Sequence, residues 1–420
     1  MASIGEIVQM KTAALTLMAT RGEDQELVAQ AALTYAPAAD SDSDSDSVDR
    51  RKPRIIPSFG WHPWFSHQII DDINSETRND PPCSKAEHYK GVLTPPTKDE
   101  GLLHALPDLY PLSKLIADTR ARLRQHPHGL VGEIGLDRSF RIPNAWLPHE
   151  LEKRDASLTP GSREGRSLSP HRVALAHQRQ IFKAQLRLAG SMQRPVSVHC
   201  VQAHGAVLEV LQELWSGHER KRVSNRQRRK RRLSADKAHE NEQSDHEKDK
   251  EHEDDPQTAV TASRPFPPRI CMHSYSGPPD VLRQFLHESN PADTYFSFSS
   301  VINFAGGSSE KTVEVIKALP EDRILVESDL HCAGNRMDEL MEAIVRQISG
   351  LPPSKIPRWD LEQLFLERLP FHLYEYFWLL LRITVFGNLS KRQVVLFLST
   401  ATNKQRRSCP VFNPNPSGEQ

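Results

Sequence analysis

Residues 129–137, GLVGEIGLD, constrain the fold of this chain more than any other stretch. Leu130 and Val131 supply the apolar, partly β-branched run of a covered parallel strand, and Gly132 and Gly135 let backbone and ligand approach closely where that strand stops. Glu133 then stands as a carboxylate at a strand's C-terminal end, which is where α/β barrels keep their chemistry. A solvated turn is the competing reading of this stretch alone. Three later segments repeat the pattern: residues 195–199 end in His199, residues 270–273 in His273, and residues 323–329 in Asp329. Period-two alternation puts Ser197 and His199 on one face of their strand and Val196 and Val198 on the other.

Strands are expected around residues 13, 55, 130, 196, 270, 295 and 324, with helical spacing between them, so the chain reads as a parallel α/β fold. Seven strands are one short of a (βα)8 TIM-like barrel, and the expected fold is such a barrel lacking its first strand. A doubly wound sheet competes, but it gathers ligands at one switch point, whereas five strand ends here are polar. The barrel is assigned to residues 1–349, with insertions at 37–54, 74–111, 138–172 and 217–268, and residues 350–420 form an atypical C-terminal segment. The insertions include a Ser/Asp alternation at 40–47 and a basic run at 226–232 that passes into an acidic block at 236–255. Such tracts bury too little apolar surface to fold. Residues 40–54, 217–268 and 400–420 are expected to lack stable packing.

The 54 basic and 54 acidic residues cancel, which excludes a global attraction to nucleic acid or membrane. Five cysteines without a CxxC pair, and no leader segment, point to a reducing compartment, cytoplasmic and/or nuclear. Nine Lys/Arg within residues 220–232 read either as a nuclear-import signal or as a solvated tract balanced by the acidic block. The apolar run at 369–398 is broken by charges and falls short of the roughly 18 apolar residues of a membrane span, so no membrane association is expected.

In a barrel, Glu133, His199, His273 and Asp329 converge on one mouth. Carboxylates and imidazoles together suit divalent cations, and a bridging carboxylate suits a two-metal site that clamps the oxygens of a phosphodiester. A single strand-end histidine is more often a core residue; four such endings favour metal.

The ordered strings FGWHP (59–63), GEIGLD (132–137), PVSVH (195–199), HSYSG (273–277) and LVESD (325–329) resemble the TatD family of metal-dependent deoxyribonucleases, within the amidohydrolase-like superfamily. The resemblance implies two divalent ions (Mg²⁺, Mn²⁺ or Zn²⁺) and hydrolysis of DNA by a metal-activated water. It makes Glu133 the bridging ligand, His199 and His273 ligands to one metal, and Asp329 both a ligand and the group that handles the proton of the attacking water. His62 would face the substrate phosphate; alternatively it is a loop histidine packed between Trp61 and Trp64. The longer strings HSYSGPPD and ESDLHCAG resemble a fungal branch described as interacting with a tetratricopeptide subunit of the anaphase-promoting complex.

The family opens with a strand ending in His-x-His, and no strand here does so; the first histidine is His62. The chain is therefore expected to begin at an internal methionine, to leave the strands near residues 13 and 324 as unpaired edges, and to be a poor nuclease until that strand is restored. The competing function is a catalytically impaired barrel that acts as a protein-binding adaptor in cell-cycle machinery. An amidohydrolase acting on cyclic amides shares the fold but calls for a strand-end lysine, which is missing.

Overall fold

The computed structural model describes residues 4–11, 14–35, 54–73, 84–146, 148–153, 165–220, 264–351 and 395–399. Eight parallel strands form one sheet: β1 (Ala14–Met18), β2 (Arg54–Phe59), β3 (Leu130–Asp137), β4 (Val196–Val201), β5 (Arg269–Met272), β6 (Asp293–Phe298), β7 (Ile324–Val326) and β8 (Val395–Ser399). Strands β1 to β7 are neighbours in chain order. An order that never reverses has no switch point, so the doubly wound alternative falls. The sheet is an incomplete (βα)8 barrel, with β7 and β8 unpaired to each other among the described residues.

Seven main helices accompany the strands: α1 (Gly22–Thr34), α2 (Leu112–Gln125), α3 (Leu175–Ser191), α4 (His204–Trp215), α5 (Pro279–Phe285), α6 (Ser309–Ala318) and α7 (Asn335–Ser349). The stripe Val207, Leu208, Leu211 and Leu214 makes α4 one-sided, and all four residues are buried. All eight residues of β3 are buried too, the pattern of a strand covered on both faces. Phe182, Leu186, Val198, Phe296 and Ile344 join these elements in one core, each large side chain contributing about 1.5–3 kcal/mol by burial.

Three expectations are corrected. The strand at β1 is not a bare edge: Val395–Ser399, from the C-terminal segment, lies parallel to it with Met18 opposite Ser399. An open edge offers unpaired backbone donors and acceptors, and an extended segment satisfies them. Residues 84–111 are not irregular either. They form helices Lys85–Val92 and Glu100–Ala105, the first held by a capping box in which Ser84 Oγ accepts from Glu87 N and Glu87 Oε2 from Ser84 N at 2.9 Å. Tyr89, Leu93, Leu102 and Leu103 pack there with Ile142 and Val173, so the two insertions at 74–111 and 138–172 build a small second core. Finally, Phe266 lies in the main core, so packing resumes before residue 268. Residues 40–53, 221–263 and 400–420 lie outside the described residues.

A buried histidine cluster carries a prediction. His88 Nε2 and His177 Nε2 donate to the carbonyls of His67 and Ser66 at 2.8 and 2.9 Å. Burial pushes His67 down to about 3 and His177 down to about 4. Unfolded histidines take protons below about 6.5. The folded ones resist, so stability falls with pH by about 1.4 kcal/mol per unit for each group between pH 6 and 4. Urea midpoints of the wild type should drop over that range, and those of a His67→Gln/His177→Gln double variant should drop far less; parallel curves would contradict the assignment.

Candidate metal centre

Glu133, on β3, lies at the centre of the polar cluster. Its Oε1 accepts from His199 Nδ1 on β4 at 3.0 Å, and lies 3.6 Å from His62 Nε2 and 3.8 Å from His273 Nε2. His62 follows β2 and His273 follows β5. Asp329, just past β7, accepts from His273 Nε2 at 3.1 Å. The structure therefore brings together all five residues singled out from the sequence, with His62, Glu133 and His273 buried and His199 and Asp329 half-buried. Asp329 and Ser274 hold left-handed backbone, φ 52° and 40°, a costly conformation at side-chain-bearing residues that concentrates at functional sites.

Two carboxylates missed by the sequence reading stand behind the imidazoles. Asp137 Oδ2 accepts from His199 Nε2 at 3.1 Å and from Trp64 Nε1 at 2.6 Å. Its Oδ1 accepts from the Ser139 amide and hydroxyl and the Phe140 amide, at 2.7, 2.8 and 2.9 Å. Glu327 Oε2 lies 2.9 Å from His273 Nδ1, while its Oε1 accepts from the Ser274 amide at 2.8 Å and from the Ser274 hydroxyl. Position at a strand end was the available signal: Asp137 closes β3 and Glu327 directly follows β7.

Charge follows from this geometry. Burial alone would raise Glu133, but His273, His62 and His199 outweigh it and hold the carboxyl well below its usual range. Burial opposes protonation of His199, yet its bonds to Asp137 and Glu133 lift it to about 9. His273 is likewise desolvated, and Glu327, Glu133 and Asp329 raise it well above the usual histidine value. His62 differs: burial, then His199, lower it. Its Nδ1 accepts from the Trp64 amide at 3.2 Å, which leaves the ring proton on Nε2. A neutral imidazole in that tautomer is a donor toward the cluster and has no lone pair to give a metal there.

The donor set fits a divalent cation. Polar side-chain atoms of His62, Glu133 and His199 lie within 4.8 Å of one another, with His62 placed to donate rather than to ligate, and mixed imidazole and carboxylate donors suit zinc or manganese. With Asp137 and Glu327 backing the far nitrogens, His199 Nδ1 and His273 Nε2, which donate to Glu133 and Asp329 here, are the atoms that would give up their protons to hold an ion beside those carboxylates. Carboxylate–histidine pairs of this kind fix the ring and raise its basicity. Asp137→Asn is accordingly expected to weaken Mn²⁺ binding by about 10- to 100-fold and, because buried donors converge on that carboxylate, to lower the thermal stability of the metal-free chain as well. Calorimetric titration checks this, and unchanged affinity would remove Asp137 from the account. The chain's one His-x-His string, His126-Pro127-His128, lies in the turn before β3, and His126 packs on Phe59 with ring centroids 5.4 Å apart.

The chain is similar to several known proteins. Cut9-interacting protein scn1 of Schizosaccharomyces pombe is 35% identical over 343 residues, covering 82% of this chain and 87% of that protein. An uncharacterized deoxyribonuclease of Saccharomyces cerevisiae is 26% identical over 330 residues, covering 78% and 82%. Among solved structures, a TatD homolog from Escherichia coli aligns at 15% identity and TM-score 0.40, covering 85% of this chain and 84% of that one. Residues 12–350 match the TatD related DNase family, and the chain belongs to that family.

Proposed function

We propose that the protein is a metal-dependent phosphodiesterase acting on DNA. The observation that carries the reading is the convergence of Glu133, His199, His273 and Asp329, with each imidazole backed by a second carboxylate. Divalent metal held by Glu133, His199, His273 and Asp329 would supply an activated water and a counter-charge for the phosphate. Asp329 would take the proton of that water, since it is the least buried carboxyl of the group and faces the mouth through its bond to His273. Neutral His62 would donate from Nε2 to a phosphate oxygen, where a fixed donor stabilises developing charge.

The test is cleavage of a labelled oligonucleotide by the full chain with Mn²⁺, Mg²⁺ or Zn²⁺, with and without chelator. Asp329→Asn is expected to lower kcat by about 100-fold or more. Cleavage that survives chelation would sink the reading.

A second reading is a protein-binding role, favoured by the name of the relative in Schizosaccharomyces pombe. The partner proposed is a tetratricopeptide subunit of the anaphase-promoting complex. Copurification with that subunit, retained in the Asp329→Asn variant, would support the role; no copurification of the wild type would remove it.

A further inference from the structure

Helix α3 reaches the metal centre without placing a side chain in it. Gln178 and Gln185 stand two turns apart on one face of that helix, and both are buried, at 2% and 1% exposure. Each clamps a single residue of main chain by both of its polar groups. Gln178 Oε1 accepts from the Asp137 amide at 2.8 Å, and Gln178 Nε2 donates to the Asp137 carbonyl at 2.9 Å. Gln185 Oε1 accepts from the Trp61 amide at 2.8 Å, and its Nε2 donates to the Trp61 carbonyl at 3.1 Å. A primary amide offers a donor and an acceptor side by side, and main chain that needs both also fixes which way the amide points.

The two clamped residues stand behind two different parts of the site. Asp137 closes β3, and its carboxylate backs His199 Nε2 at 3.1 Å. Trp61 lies past the end of β2 and immediately before His62, the neutral donor. The ladders of β2 with β1 and β3 end by Phe59, so Gln185, with Gln25 Nε2 on the Gly60 carbonyl at 2.7 Å, takes over from them. On its outer side α3 is tied by Arg179 and Lys183 to Glu209 and Glu213 of α4, at 2.5–3.1 Å. We infer that Gln178 and Gln185 are positioning residues on one mount: Gln178 sets the carboxylate that backs His199 and so tunes metal affinity, and Gln185 sets the His62 donor and so tunes phosphate binding. The part played by Gln185 rests on the phosphodiesterase reading; that of Gln178 needs only the metal centre.

The experiment takes the full chain through two calorimetric titrations, Mn²⁺ into the metal-free chain and inorganic phosphate into the Mn²⁺-saturated chain. Methionine in place of either glutamine keeps the length and removes both polar groups. Gln178→Met should weaken Mn²⁺ binding by about tenfold. Gln185→Met should weaken phosphate binding by about tenfold while Mn²⁺ affinity stays within about twofold of the wild type. Each effect should vanish once the group it works through is gone: Gln178→Met should add nothing to Asp137→Asn, and Gln185→Met nothing to His62→Ala. A role in stability alone predicts otherwise, since both variants lose the same pair of buried bonds: the two affinities would move together and the losses would add in full. That pattern, or unchanged affinities in both single variants, would overturn the inference. Gln178→Glu and Gln185→Glu, which keep the acceptor and lose the donor, are read in the same way where a methionine variant does not fold. A wild-type chain that binds Mn²⁺ but no phosphate, and leaves an oligonucleotide uncut, counts against the phosphodiesterase reading and removes the part of Gln185 with it. Phosphate binding that Gln185→Met leaves intact counts against Gln185 alone.

Discussion

Glu133→Gln is expected to lower metal-dependent hydrolysis by on the order of 10³-fold or more, because one side chain serves every member of the cluster. Its Oε1 is the common neighbour of His62, His199 and His273. Glutamine keeps the shape and removes the charge, so the space between two raised imidazoles would lose its anion just where a cation must bind. The metal-free fold should suffer as well. With a carboxylate removed from a buried cluster, His199 and His273 keep Asp137, Glu327 and Asp329 but lose the anion between them, and either give up their protons or hold them at a cost of roughly 3 kcal/mol. Activity and urea stability of the variant should therefore fall together below pH 9, and the stability gap should close as pH rises through about 9, where His199 in the wild type gives up its proton.

Gly135→Ala is expected to cost about 3 kcal/mol or more and to abolish metal binding. Gly135 has φ 150°, and a Cβ there would fall 1.9 Å from the carbonyl oxygen of His199. Nothing flexible lies in the way that might swing aside. The contact is backbone, at the very pair, Gly135 opposite His199, that sets the second strand's ligand against the first. Separating the strands there moves His199 away from Glu133. Gly205→Ala, on α4 with open space around the new methyl, is the control and should be neutral or slightly stabilising. Thermal melts and Mn²⁺ titrations of the two variants give the comparison; a Gly135→Ala chain that melts and binds like the wild type would refute the close-packed strand pair.

Parts of this site were legible in the sequence because their physics is local. A buried parallel strand writes itself as a continuous apolar run, and a polar residue where the run stops is visible without knowing the fold; that is how Glu133, His199, His273 and Asp329 stand out. Asp137 and Glu327 did not, since a carboxylate near a strand end is also the commonest kind of turn residue, and only the fold shows which face a ring nitrogen. The His62 tautomer depends on one amide of Trp64 and is invisible to any spacing argument. The helices at Lys85–Val92 and Glu100–Ala105 were missed although Ser84 and Glu87 have capping-box spacing, because proline density around them read as a loop. Strand β8 was illegible for another reason: its partner β1 is at the far end of the chain, and what places it there is an open sheet edge rather than anything within residues 395–399.

Glu133 is proposed to organise a divalent-metal site from His199, His273 and Asp329. That role is tested most directly by titrating Mn²⁺ into the metal-free full chain and following free Mn²⁺ by electron paramagnetic resonance, for the wild type and for Glu133→Gln. The account predicts saturable binding in the wild type, accompanied by proton release, and its loss in the variant. Equal Mn²⁺ binding by the two chains would contradict it.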